Sequence, residues 1–181
     1  MKKYNVKVLA YSLVFSGIAL ASCNKTDKVA AQAEHDKVEH FIKEAAANDV
    51  FELTAGMMAA EQSKAQKVDT YGQQIVQVHS RTNPVLESLA KRKHIELPAE
   101  LPSEKKKLVA QLEDKKGEEF DKEFATVQLE AHQEAVALYE KADKEVEDKD
   151  IQAFVDQVLP VLKEHLVAAQ EIHTELIAKN N

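Results

Sequence analysis

Four residues of this chain have the types and spacing to do chemistry together: Glu52, His79, His132 and His165. Imidazole nitrogens and a carboxylate form a donor set that suits a transition metal, Zn, Fe, Cu or Mn. The same four could equally make a buried hydrogen-bonded network, because polar groups inside a fold are nearly always paired. His79 lies four residues after Ile75 and seven before Leu86. His132 lies three after Leu129 and four before Val136, and His165 three after Leu162 and seven before Ile172. Each spacing puts the ring on the apolar stripe of an amphipathic helix. Glu52 is in register with Ala45, Gly56 and Ala59, a face of small residues that lets a neighbouring helix approach closely.

The pattern argues against several other chemistries. Di-iron carboxylate bundles use Glu-x-x-His pairs, which place both groups on one helix face. The nearest stretches here are Glu130-Ala131-His132 and Glu171-Ile172-His173, whose spacing does not do so. There is no nucleophile with a partnered base, no Gly-rich phosphate loop and no paired-Cys motif. His40, His94 and His173 are further metal candidates, but His94 stands beside Lys91, Arg92 and Lys93, which repel cations. Met57-Met58, at helical spacing, reads as core filling rather than a haem ligand set.

The elements that must position these residues are helices. The 181-residue chain has four Gly, four Pro and no Trp. Ala, Glu, Lys, Gln and Leu, all strong helix formers, dominate it. Periodicity predicts helices over 36–66, 68–94, 118–147 and 149–179, and a short one over 104–114. Val38, Phe41, Ile42, Ala45, Leu53 and Met57 are the expected core stripe of the first. Ser103 is expected to cap the short helix and Gly117 to end it. Glu118, Glu119 and Asp121 suit the positive N-terminal end of the helix that follows. Lys105, Lys106 and Lys107 lie ahead of Leu108, Val109 and Leu112, as expected of a helix that covers a bundle edge.

Two connections are a few residues long and must make antiparallel hairpins, whereas the middle one is long enough to travel back along a bundle. Two hairpins joined by a crossover predict a ferritin-like four-helix bundle, with a plain up-down-up-down bundle as the alternative. Glu52 lies about fourteen residues from one end of its hairpin and His79 about thirteen, which at about 1.5 Å per residue is roughly 20 Å. The same count places His132 and His165 near mid-bundle. Pro84 follows His79 by five residues and Pro160 precedes His165 by five, so antiparallel helices bring both prolines to one level. Each bends its helix and frees the carbonyl four residues back.

The N-terminus carries a different message. Lys2, Lys3 and Lys7 precede an apolar run over 8–20, too short to span a membrane and ending in small residues. That is a secretion signal over 1–22. Leu20-Ala21-Ser22-Cys23 has the aliphatic-small-small-Cys order of a bacterial lipobox. Cys23 is therefore expected to carry lipid and to anchor the chain in the membrane. A flexible tether is expected over 23–35 and the bundle over 36–181. Losing the three lysines of the signal takes the formal net charge from −7 to −10. Such a surface favours neither nucleic acid nor anionic lipid. Asn24 after the cysteine points to an outer-membrane address, facing the periplasm or the cell surface.

Phe51-Glu52, His79, Gly117, Phe120-Asp121, His132, Leu159-Pro160 and His165 come in an order and spacing that resemble a known family. It is the family of outer-membrane proteins catalogued as a domain of unknown function (number four-one-four-two), grouped with ferritin-like folds. The resemblance runs from about Val38 to the C-terminus. One departure is Val78, where the family pattern usually has an aspartate before the helix-2 histidine. The resemblance implies a ferritin-like bundle but no settled activity. The expectation is a lipid-anchored binding or envelope-maintenance module with an envelope protein partner, rather than a turnover enzyme. The alternatives are a metal protein that sequesters metal or handles oxidative stress, and a purely structural envelope protein.

Overall fold

The computed structural model describes residues 20–178, with side chains over 25–177. The expected signal up to residue 19 and the Cys23 side chain lie outside these. The described residues hold five helices and no strand: α1 (Leu20–Gln62), α2 (Gln66–Arg92), α3 (Ser103–Glu113), α4 (Gly117–Glu145) and α5 (Lys149–Ala178). The fold is all-α, as its composition requires. The chain divides after Gln32, and the bundle is built from residue 33 onward.

Four of the five helices begin and end close to where periodicity places them. α1 does not. It starts at Leu20, so the stretch expected as a flexible tether is helical backbone. Residues 25–33 are all exposed, so no core-facing stripe marks them. They are rich in Ala, Lys, Gln and Asp, with no Gly or Pro to stop a helix. Two boundary residues also differ from expectation. α3 begins on Ser103 itself, with Pro102 at the cap position and no side-chain cap bond. Gly117 does not end α3, which stops at Glu113. It opens α4 instead, with φ 61°, a left-handed conformation that disfavours other residues.

Cross-helix contacts give the topology. Gly56 meets Gly72, and Asp49 meets His79, so α1 and α2 are antiparallel. Phe41 packs edge-on to Tyr139 at 5.0 Å, while Lys64 bonds to Asp121, so α1 and α4 are antiparallel. Tyr139 meets Phe154, and His132 meets His165, which does the same for α4 and α5. Lys93 pairs with Asp148 at 2.6 Å and Lys67 with Glu175, which does it for α2 and α5. The 63–65 and 146–148 turns therefore close two hairpins. α2 and α4 run in one direction, and the segment carrying α3 returns along the bundle between them.

The core has two apolar clusters. Phe41, Ile42, Leu86, Tyr139, Ile151 and Leu162 belong to one, and Phe51, Ile75, Leu112, Phe120 and Phe124 to the other. On α1, Phe51, Ala55 and Ala59 take the inner face, whereas Met57 is 54% exposed and Leu53 only half-buried. A heptad count drifts about 20° per repeat against 3.6 residues per turn, which rotates Leu53 and Met57 off the stripe that begins at Val38.

Small residues set the spacing of α1 and α2. A Cβ on Gly72 would lie 2.5 Å from the Ala59 Cβ and 2.9 Å from the Gly56 carbonyl oxygen. No side chain fits there. Asp121, buried in α4, accepts hydrogen bonds from the Lys64 and Ala65 backbone N–H groups at 3.2 and 2.9 Å. It thereby ties the α1–α2 turn to a third helix, rather than serving the N-terminus of its own.

Candidate metal centre

Between the two apolar clusters lies a polar layer. Glu52, His79, His132 and His165 are 3%, 2%, 1% and 7% exposed, so all four face inward as their stripes predict. α2, α4 and α5 each deliver one ring. One nitrogen from each of His79, His132 and His165 lies within 4.8 Å of those from the other two. The ring centroids of His132 and His165 are 5.4 Å apart, and those of His79 and His165 are 6.3 Å apart. Glu52 stands beside this group rather than in it. Its Oε1 is 3.8 Å from His132 Nδ1, and its Oε2 has no partner.

The hydrogen bonds decide which nitrogen each ring offers. His79 Nδ1 lies 2.8 Å from Asp49 Oδ1, and the Thr82 hydroxyl donates to the other Asp49 oxygen at 2.6 Å. His132 Nδ1 lies 3.1 Å from the Gln128 carbonyl oxygen. A carboxylate and a carbonyl only accept, so both Nδ1 atoms carry a proton, and in the neutral ring each Nε2 keeps a lone pair. Neither Nε2 has a protein partner, nor does His165 Nδ1. Buried nitrogens without partners are rare in native folds and call for an explanation. Three such rings, packed so that one nitrogen of each lies within 4.8 Å of the others, fit a bound cation.

The electrostatics sort the three rings. Burial works against a charged His79, but the Asp49 hydrogen bond and charge, with that of Glu52, outweigh it and raise its pKa. His132 is lowered by burial, against the pull of Glu52. His165 is lowered to about 4 by burial and then by the charges of His132 and His79. Two of the three rings are therefore held neutral, the form that binds metal.

Three further residues complete this layer: Asp49, Tyr71 and Gln128. Asp49 is one turn before Glu52 on α1. Tyr71 donates from its hydroxyl to the His165 carbonyl at 3.0 Å and sits 3.4 Å from His132 Nδ1. Burial and the Glu52 charge raise its pKa, so it stays a neutral phenol. Gln128 is fully buried, with both amide atoms unpartnered. Tyr71 is eight residues before His79 and Gln128 four before His132, so the helical stripes hold the clue to both. The Gly56–Gly72 register would have found Asp49, since it pairs position 49 with 79. The remaining histidines stay apart: His35, His40 and His94 are exposed and His173 half-buried.

The family model for a domain of unknown function (DUF4142) matches residues 24–172, most of the chain. The chain belongs to this family. The matched span begins directly after Cys23 and contains Asp49, Glu52 and all three buried histidines. Val78, next to His79, is half-buried, and the carboxylate on His79 comes from Asp49 of α1. No curated protein and no solved structure gives a significant match. No helix among the described residues is long and apolar enough to cross a membrane.

Proposed function

We propose that this protein binds a transition-metal ion through His79, His132 and His165, in a ferritin-like bundle that Cys23 anchors by lipid to the bacterial envelope. The observation that carries the metal reading is three buried rings that each offer a nitrogen within 4.8 Å of the others and each keep one nitrogen without a protein partner. Among the metals compatible with nitrogen donors, Zn, Cu and Fe suit three imidazoles better than Mn does. The burial of all three rings favours holding an ion over turning over a bulky substrate. Sequestration in the envelope is the role this supports best, with the lipobox and the family resemblance supporting the location.

Elemental analysis of the full chain, purified without a histidine tag or chelator, tests the proposal. About one equivalent of metal per chain is expected, lost in His132→Ala while the helical circular dichroism is kept. A metal-free protein that also rejects added Zn, Fe, Cu and Mn would make the cluster a structural hydrogen-bonded network.

A further inference from the structure

The helix that gives no ring is the informative one. α2, α4 and α5 supply His79, His132 and His165; α1 supplies Asp49 and Glu52, one turn apart on one face. An imidazole binds an ion through a lone pair of its neutral form, so three of them bring no charge to balance it. The balance has to come from what surrounds them, because the rings are at most 7% exposed and water screens little there.

Asp49 cannot itself turn to the ion, since its two oxygens are taken by His79 Nδ1 and the Thr82 hydroxyl. It acts through His79. With an Nδ1 to Oδ1 distance of 2.8 Å and a metal–nitrogen bond of about 2 Å, its charge sits roughly 6 Å from an ion on Nε2. Glu52 adds its charge beside His132 without a hydrogen bond, its Oε1 at 3.8 Å from the Nδ1 that bonds to the Gln128 carbonyl. Lys105, whose charge reaches His132, is already paired with Glu134 at 3.2 Å. Two carboxylates against one ion is a charge of −2.

We infer that Asp49 and Glu52 set the charge of the ion this site takes, restricting the three-histidine cluster to dications over monovalent soft ions such as Cu⁺ or Ag⁺. The inference rests on the metal reading above. Asp49 is here a positioning residue: it holds the His79 tautomer and adds field, without touching the ion. A carboxylate in this place typically changes metal affinity by about 10–100-fold. A purely orienting contact would change all ions alike, whereas a charge-setting one changes dications more.

The test compares Zn²⁺ with Ag⁺, two redox-inert closed-shell ions that both accept imidazole and differ in charge. The metal-stripped full chain is titrated with each ion in competition with a chelator of known affinity. Wild type, Asp49→Asn, Glu52→Gln, Asp49→Glu and His132→Ala are compared, with helical circular dichroism measured on each. Asp49→Asn is expected to weaken Zn²⁺ by about 10–100-fold and Ag⁺, with half the charge, by about 3–10-fold, and Asp49→Glu to recover the preference. Glu52→Gln should shift the ratio the same way. It carries the test alone if Asp49→Asn does not fold, because Glu52 Oε2 has no partner to lose. Equal weakening of both ions, or no change in either, would overturn the inference while leaving the metal site standing. If wild type binds neither ion, the metal reading itself fails, and this inference with it.

Discussion

Acid should destabilise the metal-free bundle through His165, and the size of the effect follows from its surroundings. The ring has a pKa of about 4 in the fold against 6.5 in the open chain, because it is 7% exposed and faces two other histidines. The unfolded chain therefore binds more protons than the folded one between those values, and stability must fall as pH falls through that window. At pH 5 the loss is about 2 kcal/mol, and His132, lowered by burial, adds to it in the same direction. His79 does not cancel this. Its raised pKa gives stability that is fully present below pH 6.5 and is lost as pH rises through the folded value. Metal-free protein should then be most stable between these two limbs, near pH 6.5. The assay is urea unfolding at pH 8, 6.5 and 5, on wild type and on His165→Leu, which removes the titrating ring but keeps its volume. Carboxylates elsewhere titrate equally in both proteins, so the difference isolates the ring. The variant should lose about 2 kcal/mol less than wild type between pH 6.5 and 5. Parallel curves for the two proteins would show that His165 is not held neutral by its environment.

Three further outcomes are expected. Gly72→Ala should lower stability by about 2 kcal/mol, the overpacking cost exceeding the helix propensity gained, because the new methyl meets Ala59 and the Gly56 backbone; a raised melting temperature would refute the close contact. Asp121→Ala should cost about 1–3 kcal/mol by leaving the Lys64 and Ala65 N–H groups without their acceptor, seen as a lower urea midpoint with the slope unchanged. Cys23→Ala should move the protein from the membrane to the soluble fraction after cell lysis and centrifugation; a variant that stays with the membrane would remove the lipid anchor from the reading.

How much of this was legible in the sequence depends on which interaction each residue makes. The three histidines were findable because each sits on a stripe whose neighbours are apolar, and burial follows from the period alone. Glu52 was found by depth and face, but its distance from the ring nitrogens depends on side-chain geometry that spacing does not contain. Asp49 was missed for the same reason: it acts across the α1–α2 hairpin, thirty residues from His79. Gly117 and Asp121 were recognised as structural but given the wrong neighbours. Gly117 serves the start of α4, and Asp121 serves the turn of a different hairpin. The helical state of residues 24–35 was hidden because a fully exposed helix has no apolar period to read.

Pro84 and Pro160 stay inside continuous helices. The pairs Lys93–Asp148 and His79–His165 bracket them, so they stand at one level of the bundle, both exposed, about a turn and a half from the rings. Each removes an N–H, leaving the Ser80 and Asp156 carbonyls without their intrahelical donor. Both helices thus lack one backbone bond at the same level, on their exposed faces, and local opening there breaks fewer bonds than in an uninterrupted turn. In kinetic terms this level is the seam of the bundle. Amide hydrogens of α2 and α5 flanking it should exchange with solvent ahead of those in α1 and α4 at the same depth. The residence time of anything held by His79 and His165 is then governed by how often that seam parts, not by ligand strength alone.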